Sequence, residues 1–195
     1  NGHEWVDLGL SVKWATCNVG ANSPEEAGDY FAWGEVEPKE IYTWETYKYC
    51  DGTENTLIKY CNKSSYGKDA FTDNKTMLDP EDDAATVNWG GAWRMPTLEE
   101  QEELVNNCTR TLIIQNDVNG YNVLGPNGNS IFLPTAGWYE YTNRDNGMIG
   151  WYLSNSIDDY YLTAANHLSF GSGNQIYASR GSARNYGQSV RAVCE

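Results

Sequence analysis

The chain has 195 residues, about one and a half times the most common domain size, so one domain with long loops is expected. Thirteen Lys and Arg against 27 Asp and Glu leave a formal charge of -14, which would repel a phosphate backbone and argues against nucleic acid as a partner. A mean hydropathy of -0.63 goes with no apolar run near the ~20 residues a spanning helix needs, so no membrane insertion by this segment is expected.

The start, Asn1-Gly2-His3, lacks a charged n-region and an apolar h-region, so an export signal is expected to be cut away or never to have existed. Glu4 to Thr16 alternates well enough for a strand pair broken near Gly9. Ser23-Pro24-Glu25-Glu26 reads as a cap and first turn, but Gly28 limits that helix to a turn or two. From residue 34 to 75 the composition turns polar without a sustained period, which predicts a long loop excursion. Asp79 followed by Pro80 and three acids predicts a helix running to about Asn88, before Gly90-Gly91. A second helix should start at Thr97, whose hydroxyl caps while Glu100 returns the bond, and end near Asn107.

Beyond residue 110 the pattern is strand and turn. Tyr121–Leu124 and Ser130–Leu133 flank an Asn-Gly loop and predict a hairpin. Short strands are expected at 151–154, 167–170, 175–178 and 189–193. Helices early and strands late make the fold class α+β with antiparallel sheets.

The cysteines, Cys17, Cys50, Cys61, Cys108 and Cys194, form no C-x-x-C and have no His at ligand spacing, which argues against zinc. They are buried thiols or disulfide partners; a Cys50–Cys61 bridge would stabilise by roughly 3 kcal/mol on the loop-entropy model. The acids Asp79, Glu81, Asp82 and Asp83 suit a helix start better than a calcium site. His3 and His167 read as surface histidines, and no nucleophile elbow, phosphate loop or dinucleotide fingerprint is present. No catalytic residue, metal or cofactor is therefore assigned. Trp14, Trp33 and Trp93 stand beside apolar residues and are expected in the core.

The stretch from 139 to 186 has the composition of a paratope, with rigid aromatics for area and small polar groups for adaptable contacts. The candidate ligand-binding residues are Tyr139, Tyr141, Trp151, Asn155, Asp158, Tyr160, Tyr161, Asn166, Tyr177, Arg180, Arg184, Asn185 and Tyr186, with Asn143, Arg144, Asn146 and Asn174 of the same character.

Val6-Asp7-Leu8-Gly9-Leu10-Ser11-Val12-Lys13-Trp14-Ala15-Thr16-Cys17-Asn18-Val19-Gly20-Ala21, then Gly28-Asp29-Tyr30-Phe31-Ala32-Trp33-Gly34-Glu35, resembles the major paralogous domain family of exported gut-anaerobe proteins. The likeness continues through Trp93-Arg94-Met95-Pro96-Thr97 with Glu100, Asn129 to Pro134 and Ser189-Val190-Arg191. It departs where Gln101 replaces the usual Trp and where Leu153-Ser154-Asn155 replaces Trp-Ser-Ser. Trp-Arg-x-Pro-Thr-x-x-Glu with a late Val-Arg is similar to the C-type lectin-like fold of formylglycine-generating enzymes and of the variable proteins of diversity-generating retroelements. That resemblance implies two helices on small twisted sheets, terminal strands side by side, and a loop-rich binding face at the C-terminal region. The enzymes rely on a close late cysteine pair, whereas here only Cys194 follows Cys108. The expected function is thus a non-enzymatic, extracytoplasmic module at the cell surface or secreted, binding a protein or glycan on another cell, host or phage surface. An oxidase of the formylglycine-generating kind and a structural surface or pilus-tip subunit are the alternatives.

Overall fold

Residues from the two ends of the chain share a sheet. β1 (Trp5–Val6) and β2 (Lys13–Ala15) pair antiparallel across a turn in which Gly9 takes φ +76°, and β11 (Val193–Cys194) adds to the other side of β2, with Val193 opposite Trp14. The structure is a computed structural model describing residues 2–144, 149–171 and 176–195, with Ser179 and Arg180 described by their backbone alone. Among the described residues the fold is α+β, with two α-helices and small antiparallel sheets.

The first helix begins later than the Asp79-Pro80 signal predicts. Pro80–Asp82 forms one 3-10 turn, and α1 (Ala84–Trp89) follows Asp83, whose Oδ1 accepts the Thr86 N–H at 2.9 Å while both carboxylate oxygens accept the Met95 N–H. Asp82 is drawn aside because it accepts from Lys59 Nζ at 2.5 Å, the Tyr60 hydroxyl at 2.7 Å and Lys48 Nζ at 3.3 Å. Ser23–Glu26 makes turns without a helix. The second helix, α2 (Leu98–Asn107), has the expected capping box. Its Glu100 also takes a two-pronged bond from Arg94, at 2.6 and 2.8 Å, so the Trp-Arg-x-Pro-Thr-x-x-Glu string is a single hydrogen-bonded unit. Gln101 is fully buried and donates to the carbonyls of Tyr152 and Leu153, which ties α2 to the last sheet.

The excursion over residues 34–75 is irregular apart from 3-10 turns at Trp44–Thr46 and Lys68–Ala70, as expected, but it is core rather than cover. Tyr42, Tyr47, Leu57 and Tyr60 are buried in it. Their burial is tolerated because the hydroxyls of Tyr42, Tyr47 and Tyr60 reach Tyr30 O, Trp33 O and Asp82. Lys59 and Lys75 bind Asp79, and Lys59 and Lys48 bind Asp82, so the acidic cluster ties the excursion to the start of α1. No disulfide forms: Cys50 Sγ donates to Trp44 O and Cys61 Sγ to Lys63 O, and all five thiols are free.

β3 (Thr109–Gln115), β4 (Val118–Leu124) and β5 (Ser130–Pro134) form one sheet, with the expected hairpin between the last two. A two-residue pair, β6 (Tyr139–Glu140) and β7 (Asn143–Arg144), precedes the last sheet. That sheet has β9 (Ala164–Phe170) at its centre, flanked by β8 (Gly150–Ile157) and β10 (Ile176–Ala183). Of the strand expected over 189–193, only its end falls in β11; Gln188 and Ser189 make isolated bridges to Phe31 and Tyr152. Arg191 explains the Val-Arg motif: fully enclosed, its guanidinium donates to Asn18 Oδ1 and to the carbonyls of Ala15, Thr16 and Phe132, joining three segments. Trp14, Trp33 and Trp93 are buried, as expected.

Candidate binding face

The outer row of the last sheet follows from its register. Ser169 on β9 lies opposite Trp151 on β8 and Tyr177 on β10, so these three side chains stand on one side. Trp138 stacks on Trp151 with centroids 4.1 Å apart, and Trp151 in turn covers His167 at 4.8 Å. His167 is 3% exposed and not a surface residue, which corrects the sequence reading. Burial pulls its pKa down to about 4, opposed in part by a backbone bond to Ala165 and by Asp158, and the imidazole is neutral at pH 7.

The loop from β8 to β9 carries Tyr160 and Tyr161, 68% and 69% exposed; Tyr177 is 53% and Tyr141 60% exposed. Asp158 at the base of this loop is itself fully buried, and its Oδ1 accepts the N–H groups of Tyr160 and Tyr161 at 2.7 and 2.8 Å. The loop closes with Ala164 N–H on Tyr161 O and Asp158 N–H on Ala164 O. Asp158 therefore shapes the loop rather than meeting solvent.

Four more of the thirteen candidates point inward. Asn166 Nδ2 donates to Ile157 O and Ser156 Oγ, bridging the sheet beneath the loop. Asn155 is buried where β8 meets Pro96 and Leu78 through its backbone. Arg184, with no exposed surface, lies over the Trp33 ring and donates to Tyr60 O, fastening the excursion to the end of β10. Asn185 is 4% exposed and donates to Tyr42 O. Tyr139 packs on the core between Tyr30 and Tyr42. The structure thus gathers Trp151, Tyr160, Tyr161 and Tyr177 on the last sheet and its loop. The Arg180 side chain lies outside the described part, as do Asn146 and Asn174.

A second feature lies between the excursion and the C-terminal segment, where Tyr141, Asn185 and Tyr186 meet Trp44, Glu45 and Glu140 around a cleft of about 200 Å³. The Tyr186 hydroxyl donates to Glu140 Oε1 at 2.8 Å; burial, then Glu140, pushes its pKa up to about 12. Trp44, Glu45, Glu140 and Trp138 were not singled out from the sequence. The signal for two of them was available, since Trp138-Tyr139-Glu140-Tyr141 is one aromatic run with an acid inside it. No group of His, Cys, Asp or Glu among the described residues could hold a metal ion, and no described helix is long and apolar enough to cross a membrane. No family model, curated protein or solved structure matches the chain.

Proposed function

We propose that this chain is a non-enzymatic, extracytoplasmic binding module of C-type lectin-like fold, like the variable proteins of diversity-generating retroelements. Its C-terminal face meets a protein or glycan on another cell, host or phage surface. The observation that carries the reading is the exposure of Tyr160, Tyr161 and Tyr177 on a sheet backed by a packed core. Large aromatics held in water by a fixed scaffold lose little conformational freedom on binding, which is why paratopes use them. Asp158 and Asn166 supply that scaffold by engaging the backbone around the loop. Support for the fold comes from the sharing of one sheet by β1, β2 and β11 and from the Arg94–Glu100 and Arg191 bonds, which give the two motif strings structural work.

The test is a screen of the intact chain against a glycan array and a panel of host and microbial surface proteins. It is followed by Tyr160→Ala, Tyr161→Ala and Tyr177→Ala on whatever binds. At least one should weaken association by about 2 kcal/mol or more, as a central aromatic anchor does. Full binding by all three would contradict the face, and conversion of a Cys-containing sulfatase peptide would replace the reading with an oxidase.

A further inference from the structure

The cleft beside Tyr186 carries a narrower assignment, which rests on the binding-module reading. We propose that it takes the cationic end of a lysine or arginine side chain from a protein partner. At about 200 Å³ it falls short of the roughly 300–1,000 Å³ of a cofactor or drug-sized pocket and suits the end of one long side chain.

Its chemistry is that of an acceptor. Glu45 and Glu140 both line it, and no Lys, Arg or His does. The Asn185 amide nitrogen is already engaged by Tyr42 O, while its Oδ1, on a side chain almost wholly buried, has no partner among the described residues. The Tyr186 hydroxyl gives its proton to Glu140, so it too has lone pairs rather than a proton to offer. A sugar brings hydroxyls that must donate and accept, whereas an ammonium or guanidinium brings donors alone. Trp44, Tyr141 and Tyr186 add aromatic rings, which attract cations.

The wall is built rather than incidental. Tyr141 has φ +55°, a left-handed conformation that is costly for a residue with a bulky side chain, and paired backbone bonds with Tyr42 at 2.9 and 3.1 Å hold it there. Gly187 lets the Tyr42 ring come close behind, since a Cβ at that position would lie 2.6 Å from it. The charge of -14 would draw a basic partner toward this side chain site.

The experiment titrates the full chain with N-acetyl-arginine amide and N-acetyl-lysine amide, with N-acetyl-norleucine amide and methyl galactoside as controls, read by the NMR signals of Trp44 and Tyr186. Both cations should give saturable shifts confined to the cleft. Glu45→Gln with Glu140→Gln should weaken them about tenfold or more. Glu45→Gln alone, on an exposed side chain, should weaken them about threefold and serves if the double variant does not fold. Absence of a saturable shift with either cation, or an equal response to norleucine amide or galactoside, would overturn the assignment. Partner binding that survives this result but is lost in the Tyr160, Tyr161 and Tyr177 variants would remove the cleft assignment alone and leave the module reading standing.

Discussion

His167→Phe should flatten the acid dependence of stability. The imidazole is enclosed beneath Trp151, with a pKa of about 4 in the fold against an ordinary 6.5. Because the folded value is the lower one, the unfolded chain takes up the proton first. This contribution is complete above about pH 6.5 and is lost as the pH falls toward 4. From about pH 7.5 to about pH 4.5 the loss is about 2.5 kcal/mol, or roughly 5–10 °C of Tm for a domain of this size. Urea unfolding of both proteins across that range measures it. Phe keeps a ring against Trp151 and never titrates, so the slope of the difference between the two curves carries the result, and groups common to both, such as Asp83, cancel. Curves that stay parallel within about 0.5 kcal/mol would refute the buried, neutral imidazole.

Thr97→Ala should cost about 1 kcal/mol in urea unfolding by removing the acceptor of the Glu100 N–H; a change below about 0.3 kcal/mol would deny the cap. Asp82→Asn should cost about 3 kcal/mol, since Lys59 loses a partner beside the buried Tyr60, and hydrogen exchange should rise across residues 44–70. The wild-type carboxyl, pushed up by burial but pulled further down to about 2 by bonds from Lys59, Tyr60 and Lys48, contributes stability that is present above pH 3.8 and lost as the pH falls from there toward 2. Sequencing the locus in sister strains should find substitutions crowding at Tyr141, Tyr160, Tyr161 and Tyr177 while sparing Asp158, Asn166 and Arg184; an even spread would count against a diversified face.

Signals that lie close together in the chain were readable directly. Thr97 with Glu100 declares a helix start, and the alternation around Gly9 declares the first strand pair, because both interactions are local. Asp79 with Pro80 is just as local, yet Asp83 takes the cap. The difference lies in Lys48, Lys59 and Tyr60, which hold Asp82 outside a helix from more than 20 residues away. The excursion hides its packing for a related reason: tyrosines whose hydroxyls find carbonyls need no apolar period to be buried. The same ambiguity divides the candidate face. Tyr, Asn, Asp and Arg serve equally as solvent-facing contacts and as internal hydrogen-bonding groups. Only the three-dimensional placement separates Tyr160 and Tyr177 from Arg184 and Asn166. His167 follows Asn166 and shares a strand face with Ser169, and what encloses it is Trp151 from the adjacent strand.

The central claim is that the exposed tyrosines of the last sheet form the binding surface, and a hydrogen-exchange footprint of the complex with its identified partner tests it most directly. Slowed exchange should concentrate in the loop at 158–163 and at residues 176–178 of β10, with the β3 edge unchanged. Protection confined to the β3 edge, or to the corner formed by His3, Trp5 and Trp93, would contradict it.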